Sequence, residues 1–337
     1  PMDFAYPGRY RVQTMTTFAG FSPAVDAWSE GKGDLSAWGT AKYVSGVLLP
    51  DGRVVLVPGM AHRVGLYNPT SGAWSEGKND LSALVNPLYA GGVLLPDGRV
   101  VLVPVSANHV GMYDPSTDTW SEGKDDLSGV GNPKYAGGVL LPDGRVVLVP
   151  YGAYHVGLYD PRTDMWSEGK ARVSAAGYYL YIGGVLLPDG RVALVPLNAN
   201  HVGLYDPSTD TWSEGKDDLS KVGREKYEGG VLLPDGRVLM VPYRAGHVGL
   251  YDPSSDVWNE GKDDLSALED LKYVGGVLLP DGRVVLVPLN ANHVGLYDPS
   301  TDAWSEGRDD LSRVGSDKYA GGVLLPDGRV VLVPLNA

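Results

Sequence analysis

The chain contains no cysteine. That absence excludes disulfides, thiol nucleophiles and thiolate metal sites. No apolar run approaches the roughly 20 residues that span a bilayer, and none resembles a signal-peptide core. No Asn-x-Ser/Thr acceptor occurs either, since Asn68-Pro69-Thr70 has proline in the middle. No membrane crossing is expected; the compartment is left open, with the cytoplasm favoured over a glycosylated extracellular setting. Basic stripes are also missing. The net charge is −13, so there is nothing to displace counterions from phosphates, and a nucleic-acid partner is not expected. Helical periodicity, nucleophile elbows and phosphate-binding glycine loops are absent as well.

What is present is a period. Pro-Asp-Gly begins at Pro50, Pro96, Pro142, Pro188, Pro234, Pro280 and Pro326, every step being 46 residues. Tryptophan keeps the same interval from Trp28 to Trp304. Residues 183–216 and 275–308 differ only at Ala193/Val285, Thr211/Ala303 and Lys216/Arg308. Such similarity implies recent amplification or a designed consensus. The acidic charge is mostly a property of the repeated unit, recurring in Pro-Asp-Gly, Tyr-Asp-Pro and Lys-Asp-Asp.

Within one unit, Gly183–Leu187 and Arg191–Val195 flank an Asp-Gly turn, where glycine accepts the positive φ of a tight hairpin. His201–Tyr205 and Thr211–Ser213 form a second hairpin around Asp206–Asp210. Four short strands per unit, nearly continuous in apolar character, predict sheets covered on both faces. The fold expected is an all-β, seven-bladed propeller with four antiparallel strands per blade. The C-terminus stops after a first hairpin, and Phe21–Trp28 supplies the missing second one. One propeller is therefore expected over residues 14–337, with 1–13 a tail or extra edge strand, and the molecule is expected to be a monomer.

The string Leu204-Tyr-Asp-Pro-Ser-Thr-Asp-Thr-Trp212 resembles the tyrosine, turn and tryptophan of the kelch repeat. The unit is similar also to galactose-oxidase-type propellers. The usual double glycine at the end of the second strand is replaced by Val195-Pro196, and stands instead on the first strand at Gly183-Gly184. The resemblance implies that partners bind the face carrying the second-to-third and inter-blade loops. Galactose oxidase uses a tyrosyl–cysteine crosslink on copper, which a chain without cysteine cannot form, and no cofactor is expected.

The tryptophans read as packing between blades. His109, His155, His201, His247 and His293 occupy one repeated position. Metal–nitrogen bonds near 2 Å cannot be shared between sheets about 10 Å apart, so these histidines read as structural hydrogen-bonders. The pairs Asp125-Asp126, Asp217-Asp218, Asp263-Asp264 and Asp309-Asp310 lack the ligand spacing of a calcium loop and read as solvated acids.

The copies differ almost entirely on one face. The second-to-third connections include Tyr151-Gly-Ala-Tyr154 and Tyr243-Arg244-Ala-Gly246, and the inter-blade loops include Ala37-Trp38-Gly39 and Gly177-Tyr178-Tyr179-Leu180. Around the tyrosines, Lys-Asp-Asp-Leu-Ser has become Lys170-Ala-Arg-Val-Ser174. Fewer acids and more tyrosines suit an interface core. The candidate ligand-binding residues are Tyr151, Tyr154, Tyr178, Tyr179, Trp38, Tyr243 and Arg244. The function expected is a non-catalytic scaffold for a protein or peptide. A multivalent carbohydrate-binding propeller is the alternative, then a repeat protein without ligand, and last an enzyme.

Overall fold

The computed structural model describes residues 17–34, 41–84, 87–173 and 179–337. Trp38, Tyr178 and the segment 1–13 lie outside them. The described residues form seven four-stranded antiparallel sheets. Numbering blades from the first complete one, blade 1 comprises Tyr43–Leu48, Val54–Pro58, Gly65–Asn68 and Ala73–Glu76. Blades 2 to 6 begin at Tyr89, Tyr135, Tyr181, Tyr227 and Tyr273. Blade 7 joins the C-terminal Tyr319–Leu324 and Val330–Pro334 to the N-terminal Thr17–Ser22 and Ala27–Asp34. The register Phe21↔Val330 makes that closure, as the truncated final unit requires.

The second strand of every complete blade is buried at all five positions, because it is sandwiched by its neighbours on both faces. The core is consequently a series of inter-blade interfaces. One of them joins Leu49, Val55 and Leu66 of blade 1 to Tyr89, Val100 and Tyr113 of blade 2. Trp120 packs against this same interface, which agrees with the packing role read for the tryptophans.

The inner strands carry a bulge. In blade 5, Tyr227 pairs with Pro242 but Gly230 pairs with Met240, leaving one extra residue. Gly229 takes it up at φ +89°, and a methyl group there would stand 2.8 Å from the Gly275 Cα of blade 6. From blade 2 to blade 6 the glycine at this position faces the glycine of the next blade, whereas blade 1 carries Ser45, so at Gly229 a side chain is excluded by both conformation and space.

The paired aspartates are ties between blades rather than solvated acids. Asp125, Asp217, Asp263 and Asp309 accept the backbone N–H of Trp166, Trp258, Trp304 and Trp28 at 2.5–2.7 Å. Asn79 does the same for Trp120 at 2.8 Å. The second aspartate accepts a serine N–H two residues on, as Asp218 does from Ser220 at 2.8 Å. Three of these loops carry a short 3-10 turn, at Ser128–Val130, Ser220–Val222 and Ser312–Val314.

Candidate functional site: the axial mouth of the variable face

On the variable face, side chains differ from blade to blade while the backbone repeats. The N–H groups of Leu197 and Ala199 donate to the Leu180 carbonyl, and those of Tyr243 and Ala245 donate to that of Lys226. The same pattern recurs at Leu289 and Ala291 on Lys272, and at Leu335 and Ala337 on Lys318. In the other direction the Lys226 N–H donates to Leu197 and the Lys272 N–H to Tyr243. Each second-to-third loop is thus held between the lead-in of its own inner strand and that of the next blade.

Lysines complete this frame. Lys42, Lys134, Lys226, Lys272 and Lys318 each precede an inner-strand tyrosine and are at most 2% exposed. Lys226 Nζ donates to the Ala199 carbonyl at 3.0 Å and Lys318 Nζ to that of Asn290 at 2.9 Å. Burial away from water pushes both ammonium groups down to about 8. Asparagine bridges the loops at the surface. Asn198 accepts the Glu225 N–H and donates to the Tyr179 carbonyl, both at 3.0 Å. Arg244 stands at the equivalent position in blade 5 and replaces the bridge with two ion pairs, to Glu225 at 2.6 Å and to Asp270 at 2.7 Å.

The varied side chains meet at the axis. One apolar cluster contains Leu197 of blade 4, Tyr243 of blade 5, Leu289 of blade 6 and Leu335 of blade 7, with Val44 of blade 1 and Tyr151 of blade 3 packed against it. Residues of non-neighbouring blades come together in this way only around the central channel. Tyr151 and Tyr179 form a ring pair there, with centroids 4.7 Å apart and planes at 48°. Tyr243 is 6% exposed and belongs to the floor of the mouth. Tyr154 is separate. It is 46% exposed on the rim, with the Arg172 guanidinium 4.5 Å from its ring centroid. Of the seven candidate residues, then, three converge at the mouth, Arg244 braces its edge, Tyr154 stands apart, and Trp38 and Tyr178 lie outside the described residues.

One residue at the mouth escaped sequence reasoning. The position after the inner-strand tyrosine reads Val44, Ala90, Ala136, Ile182, Glu228, Val274 and Ala320. Comparing that single column would have revealed a carboxylate in an otherwise apolar ring. Glu228 is partly buried and makes no hydrogen bond or ion pair among the described residues. Burial, reinforced by the Glu225 carboxylate, pushes it up to about 7. Burial also raises the Tyr151 phenol, with the charges of Glu228, Tyr179 and Glu225 adding to the effect. The mouth is therefore aromatic, with one carboxylate in its apolar ring.

The histidines lie farther out, at the start of the third strands. Nδ1 of His109, His155 and His247 bonds the carbonyl of Asp125, Gly169 and Asp263 at 2.9 Å, the structural use read for all five, whereas Nδ1 of His201 and His293 is buried without a hydrogen-bond partner among the described residues. Among the described residues no three His, Cys, Asp or Glu side chains are gathered as metal ligands would be.

The opposite face is uniform but not featureless. Arg53 pairs with Asp51 at 2.7 Å and reaches the Pro115 carbonyl of the next blade at 3.3 Å. Arg145, Arg191 and Arg237 repeat the reach to Pro207, Pro253 and Pro299. Between neighbouring turns lie shallow grooves, one of about 310 Å³ lined by Asp51, Arg53, Asp97, Arg99, Asp114 and Pro115. Its counterpart of about 400 Å³ lies at Pro234, Asp235, Asp281, Arg283, Asp298 and Pro299.

The fold and this mouth define a seven-bladed propeller with one constant and one individualised face. Solved structures share the architecture at low identity. A catalytically inactive histidine-to-alanine variant of virginiamycin B lyase from Staphylococcus aureus, with quinupristin, is 16% identical at a TM-score of 0.72, covering 88% of this chain and 96% of that one. A streptogramin B lyase is 12% identical at 0.70, covering 94% and 95%. A fungal alcohol oxidase of the AA5 family, in complex with copper, is 14% identical at 0.60, covering 90% and 76%. These likenesses establish the propeller fold. No family profile matches the sequence, and no curated protein matches it. No helix among the described residues is long and apolar enough to cross a membrane.

Proposed function

We propose that this protein is a non-catalytic binding scaffold, acting as a monomer, whose variable face holds a protein or peptide at the axial mouth. A single observation carries the reading. The same backbone hydrogen bonds hold a first side chain that is leucine in blades 4, 6 and 7 but Gly59, Val105, Tyr151 and Tyr243 in the others, and the mouth gathers Tyr151, Tyr179 and Tyr243. A fixed frame with varied aromatic anchors is a surface suited to one asymmetric partner. Kinship with kelch propellers, proposed from the Tyr, turn and Trp of the repeat, points to the same face.

The lyases among the solved neighbours make streptogramin-type cleavage the enzymatic counterpart of this reading. The hydrogen bonds of His109, His155 and His247 to backbone carbonyls, away from the mouth, support the non-catalytic one. A multivalent sugar-binding role is the second reading, and the repeated grooves of the constant face favour it.

Arrays of peptides and glycans distinguish them, probed with the wild type and a Tyr151→Leu/Tyr179→Asn variant. Leucine occupies the first position in blades 4, 6 and 7, and asparagine suits the left-handed φ of +63° at Tyr179. A peptide signal that falls at least tenfold in the variant is expected. Equal binding by both proteins overturns the reading, several equivalent sugar sites in calorimetry replace it with the second, and turnover of quinupristin makes the protein an enzyme.

A further inference from the structure

We propose that the axial mouth receives a cationic group, the ammonium or guanidinium of a basic side chain on the partner, seated on the Tyr151–Tyr179 ring pair and opposite Glu228. This rests on the variable face being the binding surface, and goes beyond it in naming the charge that the mouth selects.

The first ground is the placement of Glu228. It is a carboxylate at the one charged position in a ring otherwise made of Val, Ala and Ile, with no partner among the described residues. Burying an acid without a partner is unfavourable, and its neighbours prefer it protonated. An unpaired carboxylate is a gain only when something positive arrives, and in a partly desolvated channel that attraction exceeds its value in water.

The second ground is that no nearby cation is paired with Glu228. Arg244 is shared between Glu225 and Asp270. Lys226 Nζ is committed to the Ala199 carbonyl and Lys272 Nζ to that of Arg244. The exposed Arg224, on the same loop as Glu225, makes no ion pair with either glutamate. None of these cations is paired with Glu228, and the charge that acts on it is the like charge of Glu225.

The third ground is aromatic. The tilted ring pair of Tyr151 and Tyr179 stands in the field of both glutamates, and ring faces within about 6 Å attract a cation through their quadrupole. Carboxylate and ring faces together reject an anion and give a neutral apolar side chain no comparable gain.

The test uses blocked pentapeptides identical except for a central lysine, norleucine or glutamate, titrated calorimetrically into the wild type, Glu228→Gln and Glu228→Val. Both substitutions should fold, because apolar residues fill this position in the other six blades, and thermal melting checks that they do. The lysine peptide should bind the wild type at least tenfold tighter than the norleucine peptide. That margin should vanish in Glu228→Gln while norleucine binding is unchanged. A preference for the glutamate peptide, or undiminished lysine binding by Glu228→Gln, overturns the proposal. Butylammonium chloride, followed through the amide shift of Gly229, separates this idea from the one beneath it. If butylammonium shifts the wild type but not Glu228→Gln while no peptide binds, the cation site stands and the peptide reading falls. Peptides that bind regardless of charge leave the peptide reading and overturn the cation site. Silence from every probe overturns both.

Discussion

Replacing Glu228 with valine should change how stability depends on pH. The folded protein holds the carboxyl at about 7 against an ordinary value of 4.5. A raised acid is favoured in its uncharged form, so the native state is unpenalised below pH 4.5 and progressively penalised as pH rises through 7. At roughly 1.4 kcal/mol per pH unit, the ceiling on that penalty is about 3 kcal/mol. The group is only partly buried, and solvent screening reduces the expected value to about 1–2 kcal/mol. Val44 and Val274 show that the ring accommodates valine. The variant should therefore exceed the wild type by about 1–2 kcal/mol more at pH 9 than at pH 4. The Tyr151 phenol, on which Glu228 acts, is raised and stays protonated across this range, so the difference between the two proteins reports chiefly on Glu228. Urea denaturation from pH 4 to pH 9 measures it, in phosphate or borate rather than amine buffers, which would supply the cation proposed above. A difference that is flat with pH would refute the reasoning. A variant that loses ground at high pH would show that the carboxylate already has a favourable partner.

Three further predictions concern the frame. Asp217→Ala should cost about 1–2 kcal/mol by orphaning the Trp258 N–H, whereas Asp217→Asn should be nearly neutral, as Asn79 fills the same role in blade 1; equal urea midpoints for the two variants would contradict this. Gly229→Ala must adopt φ +89° with its methyl group 2.8 Å from Gly275, and should lose at least about 2 kcal/mol; an unshifted melting temperature would disprove the close approach of Gly229 to Gly275. Lys226 is held near 8, below its ordinary 10.5, so the charged form is penalised below pH 8 and the penalty disappears towards pH 10.5. Leucine occupies this position as Leu88 and Leu180, so Lys226→Leu should stabilise by about 1 kcal/mol at pH 7 and less at pH 10. Strong destabilisation at pH 7 would mean that the hydrogen bond to Ala199 outweighs desolvation.

Much of the architecture was legible because each blade is a local pattern repeated. The Asp-Gly turns, the apolar second strands and the truncated ends together specify seven hairpin pairs and the closure of Phe21 on Val330, and the observed strands start within two residues of those read in blade 4. The division into constant and variable faces follows from counting which connections differ. The roles of the paired aspartates were not legible, because Asp217 finds its donor 41 residues away in a neighbouring blade. Nor were the buried lysines, since a lysine beside a tyrosine reads as surface until the next loop covers it.

The sequence by itself determined the ring and its individualised face, because period and turn chemistry are local properties. Only the tertiary structure decided which of that face's residues share a site. Tyr151 and Tyr154 are three positions apart, yet one turns to the axis and the other to the rim. Glu228 and Tyr151 belong to different blades, yet the charge of one acts on the phenol of the other. Side chains meet at a propeller mouth only when the ring closes, and that closure joins residues that no segment of the chain contains together.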